Sequence, residues 1–334
     1  MDQALTLYHW EDDNAPPMGG DTSDVRQRRR VELLHQVLIT GYGDQEAAGW
    51  EEIKSEQAED GRLQYFVARQ PWGNGIYLRI ERGRDIVAAR DVEHGGASET
   101  DLLAPWRAGL SSDGYAEPTG SRWFALAGER SFYLLYDRTP EGTGEPVTGD
   151  QERAACLWEG FADAQDLASH PDAGTACLVG GASERTQFLA YYNARSRAAP
   201  TQTDKSAAIE GYPHTPEPHY AALRAPLGRT GFGSDAARQA RWEQATTLEN
   251  RIILDRLLIE DGNGAPRGYL PNVRYMLTGF VREADAYSAD DYPRLGEAVT
   301  IDGERYTFAA VGANADTVMG APNNALLLFK EGAQ

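Results

Sequence analysis

Apolar and polar positions along this chain follow two periods, and the switch between them comes early. Residues 3–12 (QALTLYHWED) alternate with period two. Leu5, Leu7 and His9 fall on one face and Tyr8 and Trp10 on the other, the pattern of a half-buried strand. A loop rich in Pro, Gly, Asp and Asn follows, DDNAPPMGGDTSD. The period then lengthens. Val31, Leu34 and Leu38, with Leu33 and Val37, make a stripe at helical spacing. Ser23 or Asp24 is suited to cap that helix, and Gly41 to stop it. The stretch Val31–Ile53 is the one around which the chain is organised. It runs from helix through Gly41-Tyr42-Gly43 and Ala47-Ala48-Gly49, and delivers Trp50 to the first strand of a β-rich body.

From Leu63 the period is two again. LQYFVARQ (63–70), GIYLRIER (75–82) and DIVAARDV (85–92) read as strands, the first two separated by a turn containing Asn74-Gly75. A long loop spans 93–121. RWFALAG and SFYLLYD (122–128, 131–137) form the clearest hairpin, and 154–168 reads as a short helix around Cys156, Leu157 and Phe161. TACLVGG and QFLAYYN (175–181, 187–193) return to strands. Residues 194–245, with Pro200, Pro213, Pro216, Pro218 and Pro226, read as an irregular excursion. RIILDRLLIED (251–261), VRYMLTGFVRE, NALLLFK and the hairpin VTIDGERYTF, turning at Asp302-Gly303, close the chain. The expected architecture is mainly β (α+β). It has a sandwich- or barrel-like body, one N-terminal helix, long loops and an extended N-terminal arm. The expected parts are an arm (1–20), a β-rich body with the helix (21–193), the excursion (194–245) and a C-terminal β part (246–334).

Charge narrows the choice of partners. The net charge is −19 over 334 residues, which disfavours nucleic acid and anionic membrane across the surface as a whole. No apolar run is long enough to span a bilayer, and no N-terminal export signal is evident. Basic residues are almost all Arg. Arg28, Arg29 and Arg30 cluster on the first turns of the helix, against its dipole. They read either as a docking patch for an acidic partner or as a solvated face neutralised by local Asp and Glu. The strand at 3–12 is similarly open: an arm that pairs with a neighbouring subunit, or an ordinary edge strand.

Candidate chemistry is sparse. Cys156 and Cys177 lie in apolar runs and lack CxxC spacing, so buried thiols are expected, with a disulfide as the alternative. His214 and His219 flank Glu217, but five-residue spacing and two prolines deny them the helix of a zinc site. The Gly73/Gly75 and Gly231/Gly233 pairs lack the context of a nucleotide loop. Ser111 lacks the spacing of a nucleophile elbow. Asp261 and Asn263 lack the ligand series of a calcium loop. Asp290-Asp291 and Asp12-Asp13 do not stand out among 51 acidic residues as a general acid and base. No catalytic residue, cofactor or metal is expected.

One resemblance gives these elements a context. The order LYHWEDDNAP, LLHQVLI, TGYG, AAGW resembles a family of structural proteins encoded by tailed bacteriophages and prophages. GIYLRI, SRWFALAGERSFYLLYD and the Leu-Pro turn of GYLPNVRYML (268–277) are similar to further strands of that family. The DVEHGGASE loop and the 194–245 stretch depart from it. The resemblance implies a virion component, assembled in a host cytoplasm, oligomeric, and bound to other virion proteins. Its expected place is the neck or tail, with decoration of the head as the alternative. The interface expected on this basis comprises Leu5, Leu7, Tyr8 and Trp10 of the arm, which would augment a neighbouring sheet, and Arg28, Arg29 and Arg30. A rival from another class is a carbohydrate-binding or carbohydrate-active β protein using Trp72, Trp106 and acidic loop residues.

Overall fold

The computed structural model describes residues 2–71, 76–82, 86–90, 122–136, 157–166, 175–181, 207–210, 218–224, 253–261, 266–277, 296–312 and 324–332. In chain order, β1 (Thr6–His9) precedes α1 (Ser23–His35), which runs on as a single π-helical stretch, Gln36–Thr40. Then come β2 (Glu51–Gln57), β3 (Leu63–Arg69), β4 (Ile76–Glu81), β5 (Ile86–Arg90), β6 (Trp123–Ala127), β7 (Phe132–Tyr136), β8 (Leu157–Asp166) and β9 (Thr175–Gly181). β10 (Ala207–Glu210), β11 (Pro218–Arg224), β12 (Ile253–Asp261), β13 (Pro266–Leu277), β14 (Ala298–Ile301), β15 (Glu304–Gly312) and β16 (Asn324–Lys330) complete the chain. The protein is mainly β.

β2–β3–β4–β5 form a four-stranded antiparallel meander. The other strands join in the order β1-β6-β7-β8-β9-β10-β11-β12-β13-β16-β15-β14. β13 also pairs with β8, Gly268 opposite Asp166 and Tyr269 opposite Gln165. That extra pairing closes β8 through β13 into a circuit of six strands, leaving β1-β6-β7 and β16-β15-β14 as two wings.

The hairpin β6–β7 sits in the middle of the layers, which explains its composition. WFALA and FYLLY are buried at every position, so they read as continuous apolar runs and not as alternating ones. One face carries Trp123, Ala125, Phe132 and Leu134 into a core with Val31, Leu34, Val37 and Leu38 of the helix and with Phe66, Leu78 and Ile80 of the small sheet. The other face brings Phe124 and Tyr133 onto Phe329 of β16, with ring centroids 5.9 and 5.7 Å apart. The helix is thus a spacer between two sheets. Each of its fully buried leucines and valines is worth about 1.5–3 kcal/mol of burial.

Several expectations need correction. Within the stretch expected to be a helix at 154–168, Leu157–Asp166 form β8. Its Ala, Glu and Asp suit a helix, but ladders to β7 and β9 on both edges override that local preference. The expected irregular stretch 194–245 contains β10 and β11. The helix is capped by Thr22, one residue before the expected Ser23: its side chain accepts from the Val25 N–H at 3.3 Å. The Asp302-Gly303 turn forms as expected, with φ of 52° and 81°, both in the left-handed region such a hairpin requires. Trp72, Trp106, Ser111, Cys156, His214, Asn263, the strand expected at 187–193, Asp290-Asp291, and the glycine pairs at 73/75 and 231/233 lie outside the described residues. Cys177 is in β9, His219 in β11, and Asp261 ends β12.

Candidate functional site

The N-terminal segments of the resemblance, D-x-x-A-P, G-Y-G and A-A-G-W, meet in one knot. The loop after β1 closes on Asp12. Its Oδ2 accepts from the His9 backbone N–H at 2.8 Å, and its carbonyl accepts from Ala15 at 3.0 Å. The same Oδ2 accepts from the Tyr42 hydroxyl at 2.7 Å, so the D-x-x-A-P loop and the G-Y-G turn are bonded to each other. Burial first, then the hydrogen bond and charge of Asp12, push the Tyr42 hydroxyl pKa well above the ordinary tyrosine value, which keeps it a neutral donor. Gly43, at φ 51°, has no room for a side chain: a Cβ there would sit 2.3 Å from the Asp13 carbonyl oxygen. Tyr8 reaches into the same knot and donates to the Glu46 carbonyl at 2.8 Å. Burial, with Glu46 adding to it, pushes its pKa up to about 12.

The A-A-G-W stretch has a different task. The π-helical stretch ends with Gly41 donating to Gln36 O at 2.8 Å, which leaves the carbonyls of Val37 and Leu38 pointing outward. Ala48 and Trp50 donate their backbone N–H groups to these two oxygens, both at 2.9 Å. The helix end is thereby capped by the strand that follows it. Trp50 then stacks edge-on against Phe132 and Phe161, each at 5.9 Å, and donates its indole N–H to Gly128 O at 2.9 Å. Trp123 ties the loop down from the other side by donating to Pro16 O at 3.0 Å. Replacing Tyr42 with Phe is expected to cost about 1–2 kcal/mol in urea unfolding, because one acceptor site on Asp12 loses its partner while the His9 bond persists.

The residues expected to form an interface are placed as follows. β1 is not a free arm. It pairs with β6 of its own chain, Thr6 opposite Ala127 through His9 opposite Phe124. Leu5 and Tyr8 are buried, while Leu7 and Trp10 are half-buried. Trp10 stacks on His9 at 3.6 Å and lies against Gly296. The three arginines do not make a common face. Arg30 is buried and forms a two-pronged pair with Glu159 of β8, Nε to Oε1 at 2.5 Å and Nη2 to Oε2 at 2.6 Å. Arg28 bridges Asp24 and Asp60 at 3.0 and 2.9 Å. Arg29 donates to the Gly19 carbonyl. The docking patch is therefore corrected to three internal fastenings. The local-neutralisation reading fits Arg28; Arg30 is neutralised from a distant strand.

The first residues of the chain end in a polar clasp that sequence reasoning did not single out. Asn272 is fully buried at φ 61°. Its side-chain amide donates to Gln3 O at 2.9 Å and to Lys330 O at 3.0 Å, and its Oδ1 accepts from Gln3 N at 2.8 Å. Asn272 N donates to Asp2 Oδ1 at 3.1 Å, while Arg274 and Lys330 pair with the same carboxylate at 2.5 and 3.6 Å. Asn tolerates the left-handed backbone that turns this amide inward, and Leu270-Pro271-Asn272 was the available signal. Burial works to raise the Asp2 pKa, but the Arg274 charge, the bonds to Arg274 and Asn272, and the Lys330 charge outweigh it and hold the carboxyl below its ordinary 3.8. Lys330 is held above its ordinary 10.5, chiefly by its bond to Glu304 and with the Asp2 charge adding to it.

The sign of each shift sets a pH window. The Asp2 contribution is complete above the ordinary carboxylate value and is lost as pH falls through the lowered one. The Lys330 contribution is complete below the ordinary lysine value and is lost as pH rises through the raised one. Backbone protection of Leu5–Tyr8 against hydrogen exchange is expected to be flat from pH 7 to 9, to decline as pH falls below the ordinary histidine value because burial holds the His9 pKa down, and to fall again below pH 4. D2N should show the reduced protection at every pH; an equal loss below pH 4 in D2N would place the titration elsewhere.

Fold and site together define a mainly β protein whose N-terminal segment is knotted into its own body. Comparison with models of known protein families and with curated proteins finds no match for the chain. Among the described residues, no group of three or more His, Cys, Asp or Glu side chains is placed to hold a metal ion, and no helix is long and apolar enough to cross a membrane.

Proposed function

We propose that this chain is a structural component of a tailed-phage virion, at the neck or tail, acting through protein–protein contacts as a homo-oligomer among other virion proteins. The observation that carries the reading is the bond between Tyr42 and Asp12. It joins the D-x-x-A-P loop to the G-Y-G turn, which with A-A-G-W is the more specific block of the resemblance, into one structural unit. Motif residues spent on closing a turn and positioning a strand are what an architectural protein requires. They build shape.

Arg28, Arg29 and Arg30 are engaged within the chain and take no part in the proposed contacts. Contacts through the N-terminal segment and the sheet edges remain. The test is immunogold electron microscopy of intact particles with antibody to this chain, together with mass spectrometry of purified particles. Gold at the neck or tail is the expected result. Gold spread over the head would replace the neck or tail with a decorating role. Absence from particles by both methods would overturn the virion reading.

A further inference from the structure

A sheet edge leaves a row of backbone N–H and C=O groups open to another strand, and proteins ordinarily guard it. Of the edges whose side chains are described, two are guarded. β1 is covered on its outer side, where Gly332 N donates to Leu5 O at 3.0 Å. β2 is bent by a bulge after Glu52 and carries Glu51, Lys54 and Glu56. β14 has neither device. It ends the order of the large sheet, and among the described residues no strand lies beyond it. Ala298–Ile301 hold no charge and no proline, and pair with β15 in unbroken register. The turn at Asp302-Gly303 is two residues long, so Ile301 and Glu304 form the first hydrogen-bonded pair and Val299 and Tyr306 the next. Phe308 N, donating to Glu297 O at 3.0 Å, continues that alternation. Ala298 and Thr300 therefore turn both backbone groups away from β15, and both residues are exposed.

We propose that β14 is a docking edge for a short extended segment of a partner protein, apolar at alternate positions and flanked by Lys or Arg. The bare backbone requires a strand, added edge-on. The four residues of β14 span about 13 Å, which limits the occupant to a comparable length. The apolar alternation follows from one side of the edge. Val299 and Ile301 are half-buried against Tyr306, Phe308 and Leu328. Apolar side chains of the occupant on that side would extend the cluster and take its exposed parts out of water. The charge requirement comes from the two ends. Glu297 precedes the strand and Asp302 follows it, both exposed. The cations of the adjoining strands, Arg305 and Lys330, are already paired with Glu331 and Glu304. With −19 on the chain as a whole, a basic segment is drawn in and an acidic one repelled. A second copy would bring the same negative charge to the contact, so the charge favours a different, basic chain. The inference rests on the reading of this chain as one that acts through protein–protein contacts, and its test can fail without that reading failing.

The probe is a labelled synthetic peptide, RKVTVTVKR, titrated onto the full chain by fluorescence anisotropy, with EEVTVTVEE and RKVTPTVKR as controls. Hydrogen exchange locates the site. The expected result is saturable binding of the basic peptide with slowed exchange at Ala298 and Thr300, and roughly tenfold weaker binding of both controls. T300P removes a backbone donor that points outward and leaves the β15 ladder intact. T300K keeps the backbone and adds a repelling charge, so a folding defect in the first leaves the second to decide. Both should weaken the basic peptide by a similar factor. E297Q with D302N should weaken it several-fold and reduce its salt dependence. Equal binding of the three peptides, protection away from β14, or T300K binding as well as wild type would overturn the proposal. So would a dimer of the chain alone that T300K dissolves, since the edge would then belong to a second copy. No peptide binding, with gold still at the neck or tail, would refute this edge and leave the virion reading standing. Binding by a chain absent from particles would do the reverse.

Discussion

Replacing Arg30 with methionine is expected to lower unfolding stability by about 3–5 kcal/mol, the typical cost of leaving one member of a buried ion pair behind. Both side chains are nearly inaccessible, 4% and 3% exposed. The guanidinium also donates to the Glu81 carbonyl at 3.3 Å, so it joins the helix to β8 and to β4. The loss would fall mainly on Glu159, a carboxylate with no solvent to turn to. A double variant, R30M with E159L, is expected to recover most of the loss, because two apolar side chains of similar size remove the desolvation penalty along with the attraction. Urea unfolding of wild type, both singles and the double measures the coupling directly. A single-variant loss under 1 kcal/mol would mean that water reaches the pair.

Trp50→Ala is the second large effect, about 3–5 kcal/mol. The indole fills the junction where the helix end, β7 and β8 meet, and its loss opens a cavity bounded by Phe132 and Phe161. Trp50→Phe should cost appreciably less, about 1–2 kcal/mol, since most of the ring volume stays and the Gly128 carbonyl alone loses its donor. Equal losses in the two variants would show that the hydrogen bond, and not the volume, dominates. Because Ala48 and Trp50 cap the helix through backbone groups, neither substitution removes the cap.

The elements with a local cause were readable from the sequence. The α1 stripe, the β6–β7 hairpin and the Asp302-Gly303 turn each carry a local cause: spacing, an apolar run bounded by a turn, or a left-handed pair. β8 differs from its expected helix because its ladders to β7 and β9 on both edges are a tertiary cause that its own residues do not announce. The π-helical stretch was invisible for a related reason. Its geometry depends on two amides that arrive ten or more residues later.

The arginine cluster shows the same division at the level of the site. Three adjacent arginines look like a surface patch because sequence gives their spacing and not their partners. Arg30 finds its carboxylate 129 residues away, and Asp2 finds Asn272 across 270 residues. Composition, charge and periodicity by themselves determined a mainly β chain with one helix and an acidic balance, since these follow from local propensity and from how much surface can be buried. Only the tertiary structure decided that the N-terminal strand pairs with β6 and is clasped at Asp2, that the arginines are internal fastenings, and that the D-x-x-A-P and G-Y-G segments are one unit. Hydrogen bonds and ion pairs depend on distance and angle, and those are set by how sheets stack and not by order along the chain.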